Sequence, residues 1–345
     1  MATAISIEDF LNLNIPLVDV RTPLEFMQGH IPGAFNIPIF SNEERVMVGT
    51  TYKQQSREAA ILLGFDLTGS KWSGFIREAL EIAPQKKLAV HCWRGGMRSG
   101  AMAWALSLYG FEVYIITGGY KNFRRWTLGQ FQKSWNVCIL GGMTGSGKTK
   151  ILQEIRQLEE QVIDLEDLAQ HQGSSFGSMN KLVQPTQEQF ENNFALELHQ
   201  MDQRKRLWVE DESVTIGKRV IPFEFFKQMR SAVLINLITP LEQRVASLVE
   251  TYGKLHPEFL IECTERVKKR LGPEQTRDAI QAIKDGRIAD FVRLLLVYYD
   301  KNYLKGIQKR DPLTIFPIDC ESDIHQTALK LKAFANDLPV IQLIS

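Results

Sequence analysis

The sequence predicts an α/β protein made of two successive domains, each with a parallel sheet. The length of 345 residues suits two domains. Short apolar runs alternate with amphipathic stretches, a pattern typical of strands that alternate with helices. The same alternation begins again at residue 136, after a basic amphipathic stretch. A composition of 44% apolar and 23% charged residues is ordinary for a globular protein and excludes disordered and collagen-like chains.

We place the first domain over residues 1–133. Its strands are predicted at 16–20, 34–39, 87–92 and 112–117, and its helices near 55–64, 71–83 and 97–109. Each strand candidate is short and rich in β-branched or aromatic residues. Because helices separate most of these strands, the sheet should be mostly parallel with helices on its faces.

The second domain is expected over residues 134–345, beginning with the strand at 136–142. Further strands are predicted at 162–166, 206–210, 232–239 and 312–319. The helix after Thr239 has Pro240 just inside its start and Gly253 just past its end, which is the usual placement of these residues. The stretch 287–309 is predicted to form one helix, so the carboxyl-terminal part of this domain should be helical.

The net charge of +1 argues neither for nor against nucleic acid as a partner. The segment 86–133 nevertheless contains eight basic residues and one acidic residue. The four cysteines are widely spaced and form neither a disulfide framework nor a metal knuckle, which indicates a reducing, cytoplasmic compartment. No apolar run reaches the ~18–20 residues of a membrane helix. The first ten residues also lack the pattern of a secretory signal.

The segment His91–Ser99, HCWRGGMRS, is the first candidate site. A cysteine ends a buried strand, a glycine-containing loop follows, and a helix then begins. Amides of such a loop bind anions, and the positive end of the helix and two arginines should lower the Cys92 pKa from ~8.5 to ~3.5–7.5. We therefore predict that Cys92 is catalytic. The surrounding loop comprises Trp93, Arg94, Gly95, Gly96, Met97, Arg98 and Ser99.

The segment Gly142–Thr149, GMTGSGKT, is the second candidate site. It fits G-x-x-x-x-G-K-[ST] and lies between a predicted strand and a predicted helix, which is the context that this phosphate-binding loop requires. The predicted diphosphate-binding residues are Gly142, Gly145, Ser146, Gly147, Lys148 and Thr149. Such a loop recognises a diphosphate rather than the group attached to it, so any diphosphate ester is a candidate ligand.

Acidic residues follow two strands of the second domain. Glu210, Asp211 and Glu212 end the strand at 206–210, and Asp164 follows the strand that begins at residue 162. These carboxylates are candidates for a magnesium-linked or acid–base role, and a solvated strand end is the alternative. The sequence indicates no metal cluster and leaves any metal unidentified.

Basic residues near aromatic residues form candidate sites for nucleic acid. The candidates are Arg124, Arg125, Arg266, Lys268, Lys269 and Arg270. Arg266, Lys269 and Arg270 are predicted to lie near one face of a single helix over 265–272. Taken alone, each such cluster is more often a solvated helix face, so composition alone does not establish an RNA substrate.

The first domain resembles rhodanese domains. The resemblance rests on DVRTPLEF (19–26), GHIPGAFNIP (29–38), the Cys92 loop and TGGYKNFRRW (117–126), in that order. It implies that Cys92 carries sulfur or selenium. The spacing from Cys92 to Arg98 is Cys-x5-Arg, one residue longer than usual for rhodaneses and similar to rhodanese-fold phosphatases. A phosphatase therefore stays open as an alternative.

The whole chain resembles the bacterial tRNA 2-selenouridine synthases. Besides the motifs above, NEERVMVGTTYKQQ (42–55), VIDLEDLAQHQGSSFG (162–177), LWVEDES (207–213) and VYYDKNY (297–303) carry the resemblance. It implies two reactions on 2-thiouridine at the wobble position of tRNA. The sulfur first receives a geranyl group from geranyl diphosphate, and selenium from selenophosphate then replaces the geranylthio group. An enzyme that supplies selenophosphate is an expected partner, and a membrane is not.

The resemblance assigns the diphosphate of the prenyl donor to the phosphate loop and selenium to Cys92. The prenyl chain then needs an apolar groove, for which Phe176, Phe190, Phe194, Phe223, Phe225 and Phe226 are candidates, although core packing explains each of them. Burial of ten carbons has an upper bound of ~8 kcal/mol. An ATP-dependent tRNA sulfurtransferase and a phosphatase fused to a phosphate-loop module are the main alternatives. A non-catalytic RNA-binding adaptor would leave both anion sites without a use.

Overall fold

The computed structural model describes residues 2–171, 183–321 and 323–338. The chain divides into two compact units. The first contains Met1–Gln130 and Glu188–Leu196, and the second contains Phe131–Gln187 and Glu197–Ser345. Each unit contains a five-stranded sheet in which every pairing is parallel. The predicted α/β class is therefore confirmed.

The first unit places its sheet between helices. In chain order its elements are β1 (Thr3–Ile5), α1 (Ile7–Leu11), β2 (Leu17–Asp19), α2 (Pro23–Gln28), β3 (Ala34–Asn36), α3 (Asn42–Gln54), α4 (Arg57–Thr68), α5 (Trp72–Ile82), β4 (Lys87–His91), α6 (Met97–Leu108), β5 (Glu112–Ile116) and α7 (Gly119–Gln132). The strand order is β1-β5-β4-β2-β3, which puts β4 at the centre. The edge strand β1 and the helices α1, α2 and α3 were not among the sequence predictions.

Local sequence explains where two of these helices begin. Thr22 caps α2 and Ser41 caps α3, and in each case a glutamate three residues later completes a capping box. Apolar residues of the central strands and of the facing sides of α5 and α6 then form the core. Val18, Val90 and Leu106 are fully buried in it. This packing holds the carboxyl ends of β2 and β4 next to each other.

The second unit begins at β6 and continues to the last described helix. Its elements, with α10 crossing between the units, are β6 (Asn136–Gly142), α8 (Lys148–Gln157), β7 (Gln161–Ile163), α9 (Leu165–Leu168), α10 (Gln187–His199), β8 (Arg206–Glu210), β9 (Thr215–Ile216), β10 (Arg219–Val220), α11 (Phe223–Ser231), β11 (Val233–Ile238), α12 (Leu241–Tyr252), α13 (Pro257–Arg266), α14 (Lys268–Leu271), α15 (Pro273–Lys284), α16 (Ile288–Ile307), β12 (Ile315–Asp319) and α17 (Ile324–Asp337). The sheet order is β12-β11-β6-β8-β7, and β9 pairs with β10 separately. Because β6 and β8 are neighbours, the phosphate loop after β6 lies beside the acidic end of β8.

The helices α12 to α16 share an apolar core of their own, as the predicted helical carboxyl-terminal part requires. One prediction here was wrong, because residues 265–272 do not form a single helix. The helix α13 ends at Arg266, and the buried Val267 has φ −95° and ψ 0°, outside the helical range. Lys268 then starts the separate four-residue helix α14, so Arg266 and Lys269 do not share one helix face.

Within residues 2–171, 183–321 and 323–338, no helix has the length and apolar character needed to cross a membrane.

Candidate functional site

Cys92 lies directly after β4, at the carboxyl edge of the first sheet. Ligands bind at this edge of open parallel sheets because the loops that follow the strands converge there. The Gly96 amide donates to the Cys92 sulfur at 3.3 Å, and the Ser99 hydroxyl oxygen lies 3.4 Å from it. The helix α6 begins at Met97, so its amino-terminal end also faces this loop. The sulfur is therefore surrounded by groups that stabilise negative charge.

Two glycines with left-handed backbone allow the loop to form. Gly95 has φ +65° and Gly119 has φ +59°. A Cβ on Gly119 would lie 2.3 Å from the Cys92 carbonyl oxygen and 2.5 Å from the Gly95 nitrogen. The Tyr120 amide donates to the same carbonyl oxygen at 2.9 Å. The TGGYK segment thus supports the cysteine loop through close backbone contact that only glycine permits.

The pKa of the Cys92 thiol is lowered, as predicted from the sequence. Burial alone would raise this pKa, but hydrogen bonds from the Ser99 side chain and from the amides of Ser99, Arg94 and Gly96 outweigh that effect. By contrast, burial raises the pKa of Cys138 to about 12. The structure therefore gives Cys92 the environment of a reactive thiolate and Cys138 that of a core residue.

The arginines of the loop act differently from the sequence expectation. The Arg98 guanidinium donates to Glu25 at 2.7 Å, and Arg94 is exposed. Arg98 thus joins the loop to the DVRTPLEF motif, and the Ser99 hydroxyl and the loop amides are the groups that form hydrogen bonds with the sulfur. Trp93 and Met97 are also exposed.

A buried ion pair lies beneath the loop. Arg21 donates to Asp19 at 2.6 Å and to the Gly29 carbonyl oxygen at 2.7 Å, and its guanidinium lies 3.7 Å from the centre of the Tyr120 ring. The imidazole of His91 lies 3.6 Å from Asp19, and burial lowers its pKa. These residues hold the ends of β2 and β4 and the TGGYK segment in one arrangement.

The second site follows β6 in the second unit. Gly142, Gly145 and Gly147 have φ of +152°, +85° and +80°, so the loop adopts a conformation that other residues rarely take. The Lys148 ammonium donates to the Gly142 carbonyl oxygen at 2.9 Å and lies 3.5 Å from Glu210. The buried Ser146 hydroxyl has no hydrogen-bond partner among the described residues. An unsatisfied buried donor beside a lysine and a helix amino terminus fits a phosphate ligand.

Two of the four predicted acids, Glu210 and Glu212, lie close together in the structure, and Glu166 lies beside them. One carboxylate oxygen from each of Glu166, Glu210 and Glu212 lies within 4.8 Å of the others. The Thr149 hydroxyl donates to Glu210 at 3.3 Å, which joins this group to the phosphate loop. Burial raises the pKa of Glu212, and the negative charges of Glu210 and Glu166 raise it further. This oxygen-rich donor set fits Mg²⁺.

The other two predicted acids have structural contacts. Asp211 accepts a hydrogen bond from the buried Arg310 at 2.7 Å. Asp164 caps α9 by accepting from the Asp167 amide at 2.9 Å. Neither carboxylate belongs to the group formed by Glu166 and its neighbours.

The sequence did not point to Arg244, which supports the phosphate loop. The buried Arg244 of α12 forms a two-pronged ion pair with Asp300 of α16 at 2.8 Å and donates to the Thr144 carbonyl oxygen at 3.2 Å. Gly145 packs so tightly here that a Cβ would lie 2.9 Å from the Arg244 carbonyl oxygen. The VYYDKNY motif, which contains Asp300, was the available signal.

The basic candidates fall into two classes. Arg124 is half-buried and donates to Glu191 and to Asn192, within the first unit. The remaining candidates are exposed, namely Arg125, Arg266, Lys268, Lys269 and Arg270. Arg266 pairs with Glu262 and Lys268 with Glu265 on the surface, whereas Arg124 holds α10.

The phenylalanines proposed for a prenyl groove are mostly core residues. Phe190, Phe194 and Phe225 are fully buried, whereas Phe223 is exposed and Phe226 is half-buried. Phe176 and the end of the segment 162–177 lie outside the described residues.

In comparison with known proteins, two parts of the chain match two different family models. Residues 6–125 match the model for the rhodanese-like domain, and residues 135–329 match the model for the tRNA 2-selenouridine synthase AAA domain. The tRNA 2-selenouridine synthase of Nitrosomonas eutropha is 39% identical over 86% of this chain and 89% of its own length. That of Shewanella frigidimarina is 34% identical over 93% and 96%. The chain therefore belongs to the tRNA 2-selenouridine synthase family.

Proposed function

We propose that this protein converts 2-thiouridine at the wobble position of tRNA to 2-selenouridine by S-geranylation followed by selenation. The observation that carries the proposal is the presence of two distinct anion sites in one chain, one built around a thiolate and one around a diphosphate loop. Membership of the family supplies the nucleoside product. We place both reactions in the cytoplasm, with residues 1–133 serving selenium transfer and residues 134–345 serving diphosphate and tRNA binding.

The first reaction is a prenyl transfer. The thiocarbonyl sulfur attacks the allylic carbon of geranyl diphosphate, the carbon–oxygen bond breaks, and diphosphate leaves. Lys148 and the amides of the phosphate loop stabilise the charge on the leaving group. Glu166, Glu210, Glu212 and Thr149 would hold Mg²⁺, which supplies further positive charge when bound. Arg244 keeps the loop in the conformation that directs its amides at the diphosphate.

The second reaction replaces sulfur by selenium. The selenium of selenophosphate adds at C2 of the base, the C2–S bond breaks, and geranylthiol leaves after taking a proton from water. Water then attacks phosphorus, the Se–P bond breaks, and phosphate is released, so that selenium stays on C2. Cys92 positions the selenium during this exchange, since its loop amides and the Ser99 hydroxyl stabilise a negatively charged atom at this point. An enzyme that supplies selenophosphate is the expected upstream partner.

Mass spectrometry of nucleosides from tRNA tests the proposal. Incubation of 2-thiouridine-containing tRNA with the protein and geranyl diphosphate should give S-geranyl-2-thiouridine, and later addition of selenophosphate should give 2-selenouridine. Formation of a modified base only when ATP is hydrolysed would indicate a sulfurtransferase instead. Turnover of phosphoesters without tRNA would indicate a phosphatase.

A further inference from the structure

An apolar cavity of about 980 Å³ lies within the first unit and has no role in the reactions described so far. Its wall comes from α3, α4, the start of α5 and the amino-terminal part of α6. The lining includes Val46, Val48, Ile61, Phe65, Trp72 and Met97. A volume of this size is at the upper end of the range for cavities that hold an organic ligand. A selenide or phosphate ion needs far less room than this cavity offers, and it requires a polar lining.

The position of the cavity connects it to the reactive sulfur. Arg94, Met97 and Arg98 line the cavity and also belong to the loop around Cys92. A ligand in this cavity therefore lies next to the loop that carries the thiolate. Val46 and Phe65 line the cavity and are exposed apolar side chains, so the apolar lining is open to a ligand from solvent.

The charges around the cavity further define the ligand. Arg45, Lys53 and Arg94 line it and are exposed, so an apolar interior is combined with cations that face solvent. A ligand that matches this arrangement has an apolar arm and a phosphate-bearing body. Within the proposed function, geranyl diphosphate and the S-geranylated nucleotide both have this chemistry. The phosphate loop at 142–149 already provides a site for the diphosphate.

We propose that the cavity binds the geranyl chain of the S-geranyl-2-thiouridine intermediate and thereby places C2 of the base beside the Cys92 loop. This inference rests on the proposed function and adds a prenyl site in the rhodanese-like unit. The geranyl chain then contributes binding energy in the second reaction, besides being part of the geranylthio leaving group. Its binding favours geranylated over unmodified RNA at the selenation site.

Binding of a synthetic anticodon stem-loop tests the proposal. The full-length protein is titrated with RNA that carries S-geranyl-2-thiouridine and with the same RNA that carries S-methyl-2-thiouridine. We expect the geranyl RNA to bind at least ~10-fold more tightly, since burial of only two methylene groups supplies that ratio. The ratio should fall to near one in Phe65→Asp.

Leu62→Asp is the matched control for Phe65→Asp. Leu62 lies on the same helix, is 67% exposed against 57% for Phe65, and does not line the cavity. This variant should keep the preference for geranyl RNA. Retention of the preference in Phe65→Asp, or equal loss in both variants, would overturn the proposal. A geranyl photoprobe on the RNA provides a second measurement, and labelling only outside residues 39–72 and 94–101 would also contradict it.

Two further experiments distinguish failure of the cavity assignment from failure of the proposed function. Titration with geranyl diphosphate should give similar affinities for Phe65→Asp and the unaltered protein, and a parallel loss would show that the cavity serves the prenyl donor instead. Selenation of pre-geranylated RNA by the unaltered protein tests the proposed function itself. If the unaltered protein makes no 2-selenouridine, the proposed function fails. If it does and Phe65→Asp binds and selenates like the control, only the cavity assignment fails.

Discussion

At the scale of single residues, the environment of Cys92 favours the thiolate form of a buried thiol. Its sulfur receives hydrogen bonds from loop groups, whereas the nearest arginine of the loop helix is bound to Glu25. The sequence motif predicted the thiolate because a strand, a glycine loop and a helix start are all local features. It did not predict the Arg98–Glu25 pair, since the partners are 73 residues apart.

Replacement of Cys92 should separate the two reactions. We expect Cys92→Ala to accumulate S-geranyl-2-thiouridine and to form no 2-selenouridine, because prenyl transfer requires no thiolate. Cys320→Ala is the control, since burial raises the pKa of this half-buried thiol and removes it from reaction. Nucleoside mass spectrometry measures both products. Normal selenation by Cys92→Ala would show that its thiolate has no part in the reaction.

The pH dependence of Cys92 alkylation should reveal its lowered pKa. Only the thiolate reacts, so the rate rises with pH through the pKa of the group and then levels off. Because the Cys92 pKa is lowered, the plateau should begin at a lower pH than for a free thiol. Ser99→Ala removes one hydrogen bond to the sulfur and should move the curve to higher pH. Iodoacetamide labelling followed by peptide mass spectrometry measures both curves, and superimposable curves would contradict the assigned role of Ser99.

At the scale of elements, local patterns predicted each site better than the contacts that support it. The phosphate loop was evident because its glycines and lysine are contiguous in sequence. The carboxylate group of Glu166, Glu210 and Glu212 was predicted only in part, since it depends on the strand order β6-β8-β7. The break at Val267 was missed because the segment 265–271 contains no glycine or proline that would mark it.

Substitution of Gly119, at the start of α7, tests its close backbone contact with the cysteine loop. Gly119→Ala places a Cβ 2.3 Å from the Cys92 carbonyl oxygen, so the loop must move and selenation should fall at least ~100-fold. Gly129→Ala in the same helix meets open space and should stabilise the protein by up to ~1 kcal/mol. Selenation rates and thermal unfolding measure the pair. Equal selenation by the two variants would argue against a need for this contact.

The start of α8 permits a similar comparison for the diphosphate. Lys148→Ala removes the ammonium that lies in the phosphate loop, and we expect geranylation to fall ~100-fold or more. Lys150→Ala, two residues later on the same helix, removes an exposed lysine and should leave the rate within about twofold. Initial rates with geranyl diphosphate and 2-thiouridine-containing tRNA measure this. A full rate in Lys148→Ala would exclude the assigned diphosphate site.

At the scale of the whole molecule, tRNA recognition should depend on exposed cations of the helical carboxyl-terminal part. Lys269→Ala combined with Arg270→Ala removes two such charges and should reduce the slope of log affinity against log salt by ~1.4–1.8. Lys218→Ala is the control for an exposed lysine elsewhere in the second unit. Filter binding of tRNA at several salt concentrations measures these slopes. An unchanged slope in the double variant would remove this surface from the tRNA site.

The placement of α10 in the first unit is the feature that the sequence concealed most fully. The sequence does not indicate which core this helix joins. Glu188 and Asn192 of this helix accept and donate hydrogen bonds with the Tyr120 hydroxyl, at 2.7 and 2.8 Å. These contacts are specified by side chains about 70 residues apart. A single sequence carries no local signal for such a pairing.

This placement of α10 affects biosynthesis. The rhodanese-like unit lacks one of its helices until residue 196 has been translated, although its sheet is already encoded by residue 116. At ~5–20 residues per second, a ribosome needs several seconds for that interval. During those seconds the nascent chain carries Tyr120 and Arg124 without their partners, so a chaperone that binds unfinished chains has a defined window in which to act.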